Sequence, residues 1–431
     1  MRGKIVAGVV TVSCLLLILV FARIYQKLLT AYEQSGKLVE TEYAWVILLL
    51  LNLAGYAIIL LPGLILYKYL DKSNYFDKIG TKTSCIYRSL FACFGDPGEK
   101  IPESVKAQRA EETPRKEALE LAFCFIGLMG AYLIWGLLQE KIMTQTYVMP
   151  DGALVRFNES QFLVFVNRLS ALLLALCRLL YSRQPLVCAP LYKFSYCSLT
   201  NIISAWCQYE ALKYVSFPTQ VLSKSCKVIP VMLMGKVISR KKYELYEYVT
   251  AVMISLGMML FIFGSHDDNG VSTVTTMSGL TLLALYIMCD SFTSSWQSAL
   301  FTRYGCSSLQ MLCAVNLFSV CLTASALLQH AGSAHYLRLL QTPMFVWDCL
   351  LLSLSSTLGQ LLIYRTIARF GAVVFTVIMT VRQAVAILLS CIVYGHYIFP
   401  SGIVGIILVF LAIFLGVYCR QRTRKRRAAN V

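Results

Sequence analysis

Acidic side chains are scarce in this chain: 22 Asp and Glu stand against 39 Lys and Arg in 431 residues, and only 14% of residues are charged at all. Average soluble domains carry roughly 25% charged residues. The deficit, with 58% hydrophobic residues and a mean hydropathy of +0.65, places the chain among polytopic membrane proteins. Histidine is rarer still, with four residues, of which His266, His335 and His396 fall near span ends. No His cluster and no C-x-x-C spacing occurs, so neither a zinc site nor a disulfide framework is indicated. The sixteen cysteines are scattered, mostly inside apolar runs (Cys124, Cys207, Cys313, Cys391), where Cys behaves as a small apolar residue. Gly-x-Gly-Asp is missing around Asp290 and Asp348, which argues against an intramembrane aspartyl protease. The poverty in His argues against a lipid transferase. An enzyme, a cofactor and a bound metal are therefore not expected.

Apolar length is what the chain has in plenty. Ten spans of roughly 20 residues can be drawn at 119–138, 161–181, 193–212, 217–238, 248–264, 277–299, 309–331, 345–364, 372–394 and 398–419. Two more apolar runs lie upstream, Ile5–Ala22 and Ala44–Tyr67. The first follows Arg2 and Lys4 and reads either as a cleaved signal peptide or as a retained signal anchor. The expected fold is all-α: a ten-helix transporter-like core with one or two N-terminal hydrophobic segments. Its domains would be an N-terminal part (1–67), a polar cytosolic linker (68–118), two five-helix sets (119–264 and 277–419) and a basic tail (420–431).

The net charge of +17 would suggest nucleic-acid binding in a soluble protein. Here much of it sits in short loops and in the tail RQRTRKRR, so it reads as membrane orientation and contact with anionic lipid, with no nucleic-acid partner. Arg183, Arg240 to Lys242, Arg303, Arg365, Arg369 and the tail all follow even-numbered spans. Loops on the other side, such as HDDNG (266–270) and GHYIF (395–399), are poor in cations. Both ends of the core are therefore expected to face the cytosol. The sequon at Asn158 falls on the opposite side, where it is a candidate for glycosylation in a secretory lumen.

Five spans in each half make any duplication an inverted one, as in many transporters. Tyr209 precedes Lys227 by 18 residues, and Tyr364 precedes Arg382 by the same interval. Both cations of that frame are intramembrane. The fourth span, FPTQVLSKSCKVIPVMLMGKVI, carries Lys224 and Lys227 near its middle, expected on nearly one helical face. An ammonium at the bilayer centre costs about 3 kcal/mol even on the lenient insertion scale. The ninth span repeats the pattern with Arg382 and Gln383, beside a polar stripe of Thr376, Thr380 and Gln383. Pairing of Arg382 with Asp290, Asp348 or Glu210 is the structural alternative to a cargo site. Arg168 either lines a cavity or pairs with a neighbour. Gln208 and Tyr209 suit stacking on or hydrogen bonding to a base, whereas Glu210 suits helix–helix contact. Lys236, at a helix end, snorkels to the headgroups. Clustered central cations suit a strongly anionic cargo and have no use in a receptor or scaffold.

Three stretches, WCQYEALKYVSFPTQVLSKSCKVIPVMLMGKVISRKKYE, CDSFTSSWQSALF and FGAVVFTVIMTVRQAVAILLSCIVYGH, carry a resemblance to the nucleotide-sugar transporter family of the drug/metabolite transporter superfamily. Lys-x-x-Lys-x-x-Pro and Met-Thr-x-Arg-Gln-Ala resemble its Golgi branch for 3′-phosphoadenosine 5′-phosphosulfate (PAPS). The likeness covers roughly residues 118–419. It implies an inverted-repeat (5+5) core and a Golgi membrane address, with the endoplasmic reticulum second. It also implies exchange of cytosolic PAPS for lumenal adenosine 3′,5′-bisphosphate through a cavity bordered by the fourth and ninth spans. By position, Lys227 and Arg382 match the family's phosphate-binding cations, with Lys224 a third. A UDP- or GDP-sugar carrier of the same family is the alternative. Monomer and homodimer both stand at this stage.

Overall fold

The structure is a computed structural model. It describes residues 44–73, 85–95, 114–144, 146–148, 154–156, 160–186, 188–211, 214–215, 223–224, 226–240, 242–264, 277–329, 341–394 and 400–429. Two helices precede the core, α1 (Ala44–Lys72) and α2 (Cys85–Phe94). The core helices are α3 (Pro114–Thr144), α4 (Ser160–Tyr181), α5 (Tyr192–Ala211), α6 (Val228–Ser239), α7 (Leu245–Gly264), α8 (Met277–Tyr304), α9 (Ser308–Gln329), α10 (Pro343–Phe370), α11 (Ala372–Tyr394) and α12 (Pro400–Ala429). Each of the ten expected spans holds one of them. Four are long and apolar enough to cross a membrane, within α3, α4, α8 and α10, and five shorter apolar helices lie in α6, α7, α9, α11 and α12. The architecture is that of an all-α polytopic membrane protein. Its one β element among the described residues is a hairpin of β1 (Thr146–Val148) and β2 (Leu154–Arg156), paired Tyr147 to Val155.

The chain forms two compact units, each drawing segments from both halves of the sequence. In the first, alternation of the helices across the membrane can be read from their ends. Ile142, at the end of α3, packs with Tyr147 of the hairpin, Phe162 and Leu163 at the start of α4, and Phe345 and Cys349 at the start of α10. At this end Asp348 is buried and accepts from Lys141 Nζ at 2.7 Å and from the Tyr147 hydroxyl at 3.0 Å. Burial, and then the Asp348 carboxylate, push the Tyr147 phenol up, so it stays a donor. Asp348→Ala leaves Lys141 and Tyr147 without their acceptor, a loss of about 1–3 kcal/mol. Thermal unfolding of the purified protein is expected to show a lower midpoint for Asp348→Ala and a smaller drop for Asp348→Asn, which still accepts from Tyr147.

At the other end, the start of α5 meets the end of α1 through stacked Tyr67 and Tyr192 rings, 4.8 Å apart. Gln310, in the first turn of α9, donates to the Pro185 carbonyl beyond α4 at 2.8 Å. Here Cys188 and Cys306 form a disulfide with Cα atoms 5.6 Å apart, against the expectation of none. The residues lie 118 positions apart, so no spacing rule reveals a pairing that only the fold creates. The segment expected as a polar linker also contains a helix, α2. Its Tyr87, Leu90 and Phe94 recur at helical spacing and pack on Leu66 and Leu70 of α1.

In the second unit, α7 and α12 run antiparallel in close contact. A Cβ added at Gly257 would lie 2.8 Å from the Gly405 carbonyl, and Gly416 faces Thr250. Small residues let the two backbones approach in this way. The start of α3 is fixed to the end of α10, where Glu120 accepts from Arg365 Nη2 at 3.0 Å and Arg369 Nε at 3.1 Å. Arg365 and Arg369 thus share the last turns of α10 with an acid of α3. The basic tail continues as helix to the end of α12. Ile5–Ala22, the sequon at Asn158 and the loops at 266–270 and 395–399 lie outside the described residues.

Candidate functional site

The polar helix α5 is held by its hydroxyls: Ser198 donates to the Val315 carbonyl at 2.8 Å, and Thr200 bonds Thr293 at 2.7 Å. Such contacts replace water for groups that lipid cannot satisfy. Glu210, also on α5, is buried, and Gln208 is half-buried. The side chain of Tyr209 is outside the described part of the structure. Arg168 lies half-buried on α4 in the first unit, whereas the other candidate cations belong to the second.

The fourth span departs from the single helix expected over 217–238. The helix begins at Val228, and Lys227 is its N-cap residue (φ −63°, ψ −20°) with no side-chain cap. Pro230 explains the start. It has no N–H to give and is tolerated in the first turn, where that donor has no intrahelical partner. Lys224 precedes it as a helical residue, and residues 226–227 form a turn between it and α6. Lys227 therefore sits at the start of a helix, with Lys224 three residues before it. A helix start carries the positive end of the dipole, so the Lys227 ammonium there opposes the local field and calls for an anion.

Lys227 meets one. Its ammonium forms an ion pair with the Asp290 carboxylate of α8, the two side chains being 13% and 24% exposed. It also stands 6.0 Å from the centre of the Phe375 ring on α11. Lys224 lies within electrostatic range of Arg382, Asp290 and Lys227. Lys227 and Lys224, at the entry to α6, thus share the field of Asp290 on α8, and Arg382 on α11 lies within range of Lys224. Arg382 lies in the middle of α11 with its Nε buried. Gln383 beside it is half-buried. Thr376 and Thr380 are buried and donate to the Ala372 and Thr376 carbonyls at 2.8 and 3.0 Å. Those hydroxyl protons are committed to the helix, which leaves Thr380 oxygen lone pairs that an anion does not seek. Asp348, one of the alternative partners for Arg382, is engaged by Lys141 and Tyr147 instead.

Asp290 as the acid beside Lys227 escaped the sequence reading, because their 63-residue separation carries no pattern. A separate cavity of about 630 Å³ opens in the same unit among α6, α7, α11 and α12, lined by residues such as Val228, Ala251, Val377 and Phe410. Lys224, Lys227 and Arg382 are not in its wall, and its lining is mostly apolar. A strongly charged cargo has no counterpart there.

Residues 120–420 match the family model described as the UAA transporter family. A Drosophila melanogaster protein named adenosine 3′-phospho 5′-phosphosulfate transporter 1 is 50% identical over 408 residues, 91% of this chain and 87% of that one. The Homo sapiens protein of the same name is 46% identical over 388 residues, covering 89% of each chain. An Arabidopsis thaliana protein named UDP-galactose/UDP-glucose transporter 5 is 36% identical over 341 residues, 76% of this chain and 95% of the relative.

Proposed function

The chain belongs to the UAA transporter family, and from that premise we propose that it carries PAPS from the cytosol into the Golgi lumen in exchange for adenosine 3′,5′-bisphosphate, the residue left by sulfotransferases. The observation that carries the cargo assignment is the clustering of Lys227 and Lys224 at the entry to α6, beside Asp290 and with Arg382 of α11 within range of Lys224. PAPS bears about −4 at neutral pH, counting a phosphomonoester at −1.5 to −2 with a bridging phosphate and a sulfate. Moving that charge through a low-dielectric barrier without fixed counter-charges is prohibitive. Arg382 is suited to clamp a phosphate or sulfate with two parallel bonds, while each Lys acts as a point charge. The N–H groups opening α6 add donors to the same region.

The identities to PAPS-named relatives support this cargo over a UDP-sugar, which carries roughly half the charge. Orientation with both core ends in the cytosol rests on the loop charges. The ends of α10 and α12 and the start of α7 bring Arg365, Arg369, Lys242 and the tail toward one pole of their unit, in keeping with that orientation. The five-plus-five inverted repeat belongs to the same proposal, with corresponding elements at α6 and α11.

Exchange follows from the charge in the site. An empty carrier holding an excess of cations resists occlusion, and a nucleotide on either side relieves it. Proteoliposomes preloaded with adenosine 3′,5′-bisphosphate are expected to take up labelled PAPS far faster than empty ones. Equal initial rates with and without preload would rule out obligatory exchange.

A further inference from the structure

Building on the cargo reading above, we propose that Asp290 is the internal counter-ion of the empty carrier: it holds Lys227 when no nucleotide is present and is displaced when a phosphate or sulfate oxygen takes its place. The geometry for this is specific. Lys227 caps α6 with no side-chain acceptor of its own, so an ammonium sits against the positive end of a helix. Asp290 reaches it from α8, and both side chains are only partly exposed. Lys224 lies close enough to share the same carboxylate's field, and Arg382 lies within range of Lys224. The ion pair answers the Lys227 charge from within the protein. Asp290 therefore stands where an anionic cargo would be drawn, and it has the same sign.

Two consequences follow. The carboxylate competes with cargo, so nucleotide affinity is held below what the three cations alone would give. It also lowers the excess charge of the empty state, which eases the return of the carrier without cargo. Asp290 is thus a positioning residue that sets both affinity and the strictness of exchange. A purely structural ion pair would do neither. Its loss would loosen the start of α6 and weaken binding.

The test is Asp290→Asn, which keeps the shape and a hydrogen-bonding oxygen while removing the charge. Binding of adenosine 3′,5′-bisphosphate to the purified full-length protein is measured by ligand-dependent thermal stabilisation. Because a partly exposed ion pair has a modest worth, the variant is expected to bind roughly threefold to tenfold more tightly than the parent. In preloaded vesicles it should retain exchange, and its efflux into nucleotide-free medium should fall below that of the parent. Lys227→Gln and the Lys227→Gln, Asp290→Asn pair provide the second measurement: with the ammonium gone, removing the carboxylate is expected to gain much less affinity than it does in the parent. Unchanged or weaker binding by Asp290→Asn, or an equal gain with and without Lys227, overturns the proposal. A parent protein that is not stabilised by the bisphosphate at all contradicts the cargo reading itself, and the inference falls with it.

Discussion

Lys227→Gln and Arg382→Gln proteins are expected to reach the membrane folded and to lose at least about tenfold in the efficiency of PAPS uptake. A hydrogen bond to a charged partner is worth about 1.5–3 kcal/mol, and about 1.4 kcal/mol is a factor of ten. Each replacement removes one such bond from a desolvated site and exchanges an intramembrane cation for a neutral side chain that inserts more easily. Lys227→Gln does not strand Asp290, which stays partly exposed and within range of Lys224. Arg382→Lys should remain impaired, because a point charge does not reproduce a bidentate clamp. Lys236→Gln is the internal control. Lys236 is exposed in the last turn of α6, where its charge meets headgroups, so uptake should be nearly unchanged. Initial uptake rates in proteoliposomes, normalised to inserted protein, read all four variants. Near-normal rates for folded Lys227→Gln and Arg382→Gln would make these cations structural and place the site elsewhere.

Discrimination by the 3′-phosphate is the second large effect. That group supplies nearly half of the cargo's charge, and a site with three cations gains most from it. Adenosine 3′,5′-bisphosphate should compete with PAPS at concentrations at least about tenfold lower than adenosine 5′-monophosphate, the difference expected for one charge-assisted contact. UDP-glucose should compete as poorly as the monophosphate. Competition curves against labelled PAPS check this directly. Equal competition by a UDP-sugar would favour the carrier class of the Arabidopsis relative.

Hydropathy made the spans legible because lipid imposes one simple demand, a run of about 20 apolar residues with its backbone satisfied internally. Each of the ten expected spans accordingly contains a helix. The same rule hid the start of α6, since a window average over residues 217–238 does not register that Pro230 favours a first turn. Helix α2 was hidden by the polar residues around it. Tyr87, Leu90 and Phe94 show their common face only when Leu66 and Leu70 are present to receive it. Of the site, the cations were legible as isolated costs in an apolar setting. Their neighbour Asp290, the Lys141–Asp348–Tyr147 network and the Cys188–Cys306 bond join residues far apart in sequence, and tertiary contact alone brings them together.

Purified full-length protein in liposomes preloaded with adenosine 3′,5′-bisphosphate, offered labelled PAPS, UDP-galactose or a GDP-sugar in parallel, tests the central claim most directly. Rapid, saturable accumulation of PAPS with little of either sugar nucleotide is the predicted result. Accumulation of a UDP- or GDP-sugar at a rate equal to or above that of PAPS would contradict it.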